Sequence, residues 1–266
     1  MKVREPRPES DIPLFLDYLQ RLVHLAEEIK SSPIRIDGAD HLAFMALSFL
    51  LLQLKHAKSI KLLIDNRLYE DAGQIARSSL EAMCYLLWAC KEPSEERPLK
   101  WRSFVYIEAF REIKDKIKNG LPVEATYKAW IDEGLSNFGS IHFTNKAKEA
   151  QRNSKPLPND PYVYKWHGKN IKEIFEEIKA IPLYGVSYNQ LSQWVHSDPF
   201  CLSKLIGLDG TRIIDRSGSL LTAGLALVTG VHALVKTLEV YNAHLQLGFS
   251  DALRDFLAET YEAVKA

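Results

Sequence analysis

Apolar residues recur along this chain at spacings of three and four almost from end to end, the signature of helices that each bury one face. The first such run opens at Asp11 with Pro13, carries Phe15, Leu19, Leu22, Val23, Ala26 and Ile29 on one side, and ends before Pro33. A second starts near Asp40 and reaches about Arg67, almost purely apolar from Leu42 to Leu52 and amphipathic through Ile60, Leu63 and Ile64. A third, from about Glu70 to Lys91, turns Ala72, Ile75, Ala76, Met83, Leu86 and Leu87 inward until Pro93 stops it. Ser94 and Pro98 fit the start of a fourth, which presents Trp101, Val105, Phe110, Ile113 and Ile117 and stops at Asn119-Gly120.

Beyond that point the pattern loosens. Gly134 and Gly139 interrupt the stretch from Val123 to Lys148, and Pro156, Pro158 and Pro161 make Lys155 to Tyr164 a loop. Helical spacing returns at Ile171, Ile174, Phe175 and Ile178, stops at Pro182, and resumes from Tyr188 to His196. Asp209-Gly210 is a turn dipeptide that fits a short hairpin within 205–219. A long helix from Leu220 to about Leu247 and a last one after Ser250 complete the chain. The pattern predicts an all-α fold: a single compact bundle of about nine helices, one domain over 1–266 with 1–10 as an N-terminal tail. Leu42–Leu52 and Leu220–Val235, the most continuously apolar segments, are expected near its centre.

Composition narrows the function classes. With 266 residues and 46% hydrophobic content the chain can bury a full core. Lys plus Arg and Asp plus Glu are each 34, so no global field draws it to nucleic acid or an anionic membrane. Any nucleic-acid contact has to come from a local patch, or from a homodimer that concentrates positive charge in a cleft. Cys84, Cys90 and Cys201 form no C-x-x-C pair, which argues against a disulfide framework or zinc knuckle and for a reducing, cytoplasmic setting. Met1–Ser10 holds no apolar signal region. Leu42–Leu52 is too short to span a bilayer, and Leu220–Val235 carries Thr222, Gly224, Thr229, Gly230 and His232, so no membrane partner is expected.

Two polar patterns stand out. Tyr188, Ser192 and His196 recur at every fourth residue, and on a helix each such step drifts by only about 40°, aligning a phenol, a hydroxyl and an imidazole on one stripe. Leu191 and Val195 flank that stripe, which places it towards partly buried surroundings. Arg77 and Glu81 are a second i, i+4 pair, in Arg77-Ser78-Ser79-Leu80-Glu81; exposed, such a pair contributes only a few tenths of a kcal/mol, roughly. Lys100, Arg102, Trp166, His167 and Lys169 are further candidates. No phosphate-binding glycine loop, H-E-x-x-H, E-x-x-H or G-x-S-x-G occurs, and the eight histidines and three cysteines lack ligand spacing, so neither a metal nor another cofactor is expected.

Taken together, Ala76-Arg77-Ser78-Ser79-Leu80-Glu81, then Trp166-His167-Gly168-Lys169-Asn170, then Tyr188-x3-Ser192-x3-His196 resemble an uncharacterised prokaryotic all-helical family, a domain of unknown function, over roughly Ala57 to Val240. The resemblance implies a shared site of Arg77, Glu81, Tyr188, Ser192 and His196, with Trp166 and Lys169 beside it, and supplies no activity. A more distant resemblance is to HEPN-type helical bundles, many of which are ribonucleases in toxin–antitoxin and phage-defence systems. Their signature places a histidine four to six residues after an arginine on one late helix. Here the literal match is Arg35 with His41, across Asp37-Gly38, so the likeness rests on architecture and on pairing Arg77 with His196 across helices.

Three functions follow as expectations. The first is a metal-independent ribonuclease or stress and phage-defence effector, with His196 as general acid/base, Arg77 on the phosphate, Glu81 orienting Arg77, and Tyr188, Ser192, Trp166 and Lys169 placing the substrate. The second is a non-catalytic sensor bundle that binds a small anionic ligand at the same cluster. The third is a structural interaction protein whose polar cluster fixes helix register.

Overall fold

The computed structural model describes residues 8–195, 199, 203, 206–209, 212–215 and 219–265. Apart from one short hairpin, its regular structure among these residues is helical, so the fold is all-α. The chain forms two compact units, one from residues up to Glu92 together with those from Ile171 onward, the other from Pro93–Asn170.

In the first unit, α1 (Pro8–Lys30), α2 (His41–Asp65) and α3 (Tyr69–Cys90) all pack against α10 (Leu220–Leu245). Asp40 caps α2 by accepting from the Ala43 amide at 2.8 Å, a bond of a kind worth roughly 1 kcal/mol. The same carboxylate lies 2.9 Å from His244 Nε2, tying the start of α2 to the end of α10. Burial pushes the Asp40 carboxyl up, but the Ala43 amide and His244 outweigh it and leave the group below its ordinary range. α11 (Ser250–Lys265) closes over α10, and Arg21 of α1 grips Glu259 with two parallel bonds of 2.7 Å.

α10 takes the central place its apolar run predicts: Ala223, Ala226, Leu227, Ala233, Leu234 and Leu238 are all fully buried. Among the described residues it is also the one helix long and apolar enough to cross a membrane, yet 61% of that apolar window is buried inside the protein. Leu42–Leu52 is divided. Ala43, Met45, Ala46, Phe49 and Leu50 enter the core, while Phe44, Leu51 and Leu52 face outward at 41%, 42% and 39% exposure. A continuous apolar run hides its own periodicity, so which side is buried had to come from packing. The hairpin falls where Asp209-Gly210 places it, with β1 (Ile206–Asp209) antiparallel to β2 (Arg212–Asp215) and Asp209 opposite Arg212.

The second unit contains α4 (Glu96–Lys118), α5 (Ala125–Phe138), a 3-10 turn (Gly139–His142) and α6 (Asn145–Arg152). α4 buries Phe104, Ile107, Ala109 and Ile113, whereas Val105 and Ile117, expected inward, are 44% and 60% exposed. The expected interruption at Gly134 does not occur, since α5 runs through it. A Cβ there would lie 2.1 Å from the Tyr106 ring, so this glycine serves a close approach rather than a break. The proline-bearing segment after α6 returns to pair with the 3-10 turn: Phe143 bridges Tyr162, Thr144 N donates to Pro161 O, and Val163 N donates to His142 O. Arg111 fixes the return, donating from Nε to Asp160 at 3.0 Å and from Nη2 to the carbonyls of Tyr162 and Val163 at 3.1 Å.

Candidate functional site

The site belongs to the first unit, where α3 meets the segment from α7 (Ile171–Glu177) through α8 (Ile181–Leu183) and a π turn (Tyr184–Tyr188) to α9 (Asn189–Val195). Pro182 does not stop a helix; it sits in the first turn of α8, where its missing N–H costs nothing, and the helical run continues to Val195. The π turn stacks Tyr184 on Tyr188, centroids 5.3 Å apart and planes 15° from parallel, and both rings meet Phe175 edge-on. Single π turns inside helices are frequent at functional sites.

Gly73 sets the spacing between the helices. A Cβ at this position would lie 3.1 Å from both Leu191 Cδ2 and Thr222 Cγ2, so its absence lets α9 and α10 close on α3. One helical turn further along α3, Arg77 points at α9. Its Nη2 donates to the Tyr188 hydroxyl at 2.7 Å, its Nε donates to Ser192 Oγ at 3.2 Å, and Nη2 also lies 3.2 Å from Glu81 Oε2. The guanidinium carbon stands 4.9 Å over the Tyr188 ring, within cation–π range. The side chains of Arg77 and Glu81 are 17% and 24% exposed, so the pair is largely but not wholly withdrawn from water.

Glu81 has a second support absent from the sequence reading. Tyr85, a further four residues along α3, donates its hydroxyl to Glu81 Oε1 at 2.7 Å. The signal was present: Arg77, Glu81 and Tyr85 continue the same four-residue step. Burial, reinforced by the bond to Glu81, pushes the Tyr85 phenol far above its ordinary range, so it stays a donor. Burial and then Glu81 raise the Tyr188 phenol as well, against the lowering influence of Arg77. Burial, with the Glu81 charge, also holds the neighbouring Cys84 thiol protonated and therefore a poor nucleophile. Among the described residues, Arg77 Nη1 makes no hydrogen bond, whereas Nε and Nη2 are committed to Ser192, Tyr188 and Glu81.

The structure thus brings together Arg77, Glu81, Tyr188 and Ser192. His196, next in that four-residue series, lies outside the described residues. Trp166 and Lys169 belong to the second unit: Trp166 packs on the cluster of Phe104, Ile107, Phe143, Ala147 and Tyr162, and the Lys169 amide donates to His167 Nδ1 at 3.3 Å. Of the literal Arg–His pair, Arg35 precedes α2 and His41 begins it, so the two do not share a helix. Among the described residues no group of three or more His, Cys, Asp or Glu side chains is placed to hold a metal ion.

The fold is all-α, and its largely buried Arg–Glu–Tyr–Ser cluster joins an early and a late helix. The chain belongs to a family of unknown function, DUF5677, whose model matches residues 43–213 and so includes all four of these side chains. No curated protein and no solved structure matches the chain.

Proposed function

We propose that this chain is a helical-bundle effector of the HEPN-like kind, which cleaves RNA without a metal ion and acts in stress or phage defence. One observation carries the reading: a guanidinium held by Ser192, Tyr188 and Glu81 while its Nη1 makes no hydrogen bond among the described residues. A partly desolvated, oriented arginine is suited to a phosphodiester, because its fork matches phosphate oxygens and its charge grows in strength away from water. Glu81, itself fixed by Tyr85, keeps Arg77 in one orientation. His196 supplies the proton transfers, taking the proton from the ribose 2′-hydroxyl as it attacks phosphorus and returning it to the departing 5′-oxygen. The products are a 2′,3′-cyclic phosphate end and a 5′-hydroxyl end.

A second reading is favoured by a different observation. Both phenols of the cluster are spent on fixing the ion pair, Tyr85 donating to Glu81 and Tyr188 accepting from Arg77, which suits recognition of a small anion without chemistry. Replacing Arg77 with Lys keeps the charge but loses the fork. Under either reading, Arg77→Lys weakens binding of a phosphate-bearing probe. Only under the first does the wild-type protein turn over RNA in the presence of EDTA, and only under the second is a bound anion released unchanged.

A further inference from the structure

The chain's formal neutrality hides a separation of charge. Pro93–Asn170 holds 14 Lys and Arg against 10 Asp and Glu, leaving 20 against 24 in the rest of the chain. Within this basic unit the excess is concentrated further. Lys146, Lys148, Arg152, Lys155 and Lys165 are all exposed, and among the described residues none makes an ion pair or a side-chain hydrogen bond. The same stretch contains two acids, Glu149 and Asp160, and Asp160 is held by Arg111. Lysines elsewhere are commonly paired one helical turn away, as Lys61 is with Asp65, Lys100 with Glu96 and Lys116 with Glu112.

An aromatic ring stands at the end of the same excursion. Pairing of Phe143 with Tyr162 and of Val163 with His142 pins residues 144–161 at both ends. Tyr164, just past the closing end, is 82% exposed, and Arg111 supports it with its guanidinium carbon 4.8 Å from the ring centroid. Leaving such a ring in water forfeits the free energy of burying it, whereas a base stacked on it recovers that contribution. Lys148 and Arg152 are one turn apart on α6, and Ala147 turns inward from the same helix.

We propose that residues 146–165 form a docking surface for single-stranded RNA, with Tyr164 as the stacking platform and Lys148, Arg152, Lys155 and Lys165 along the phosphates. Unpaired cations in one stretch with an exposed ring match the needs of a flexible strand, which offers both phosphates and unstacked bases. The RNA named here follows from the proposed function, but this surface requires no cleavage at Arg77.

The experiment measures binding of a fluorescent single-stranded RNA oligonucleotide to the full chain in EDTA, as a function of salt. An Arg77→Gln background separates binding from turnover. Tyr164→Ala weakens binding about 5- to 150-fold, while Tyr164→Phe retains it. Lys148→Ala with Arg152→Ala reduces the log–log salt slope by roughly 1.4, the value for two lost phosphate contacts on a single strand. All of these positions are exposed, so unchanged melting temperatures are expected and separate lost binding from lost fold. Binding that is indifferent to these substitutions, or equal affinity for duplex RNA or an acidic polypeptide, overturns the proposal. RNA bound in this manner but never cleaved by the wild-type chain supports the surface and overturns the ribonuclease reading alone.

Discussion

Arg77 both donates to the Tyr188 hydroxyl at 2.7 Å and stands over the same ring, its guanidinium carbon 4.9 Å from the centroid. One phenol therefore holds the arginine in two ways, across a sequence separation of 111 residues. Removing the hydroxyl while keeping the ring tests the first contribution. Tyr188→Phe should cost about 1.5–3 kcal/mol in urea unfolding, the range for a hydrogen bond to a charged group. Ser192→Ala, which removes a longer contact of 3.2 Å, should cost less. A Tyr188→Phe protein as stable as wild type would mean that water replaces the phenol at no cost and that Arg77 is not fixed.

Gly134→Ala is expected to destabilise the second unit. Helix propensity alone favours the change by up to about 1 kcal/mol. Against it, the new methyl would lie 2.1 Å from Tyr106, so the ring or helix must move, and overpacking of this kind costs roughly 1–3 kcal/mol. Gly38 meets nothing within 4 Å, so Gly38→Ala serves as the comparison, with little change expected. A higher melting temperature for Gly134→Ala would contradict the close packing of α5 on α4.

Stability should rise with pH between about 4 and 6.5. His142 is 1% exposed, and burial, assisted by the Lys100 charge, lowers it to about 4. Folded His142 takes up a proton only near that pH, whereas in the unfolded chain it does so near 6.5. The unfolded state thus binds the extra proton throughout the window, and acid favours unfolding there. Burial lowers His56 and His232 in the same direction. Unfolding free energies at several pH values should therefore fall on acidification by about 3 kcal/mol from His142 alone. His142→Gln should flatten part of that slope; an unchanged slope would assign it to other groups.

The extent to which the sequence foretold these features follows from what periodicity can encode. A stripe of residues four apart belongs to a single helix, so the alignment of Tyr188 with Ser192, and of Arg77 with Glu81, was legible. That the two stripes face one another depends on Gly73, whose missing side chain admits Leu191 and Thr222, and no spacing rule shows which helices meet. Tyr85 continues the four-residue step of Arg77 and Glu81, but spacing alone does not say that its hydroxyl turns to Glu81. At Gly134 the break that helix propensity predicts is absent, because propensity weighs a glycine against solvent, whereas here its value lies in the space left for Tyr106. The outward turn of Val105 and Ile117 was hidden because α4 carries more apolar residues than one face can bury. His142, alone in its motif-free surroundings, offered no signal that it would be buried against Ser103, whose hydroxyl lies 2.9 Å from its Nε2.

The most direct measurement is cleavage of single-stranded RNA by the purified full chain in EDTA, with the ends of the products identified. Cyclic-phosphate ends are expected from the wild type, and a rate lowered roughly 10²–10⁴-fold by His196→Ala and comparably by Arg77→Gln, with melting temperatures near wild type for the histidine variant. Wild-type protein that binds RNA or phosphate but leaves the chain intact would contradict the catalytic claim. So would a His196→Ala protein that cleaves at the full rate.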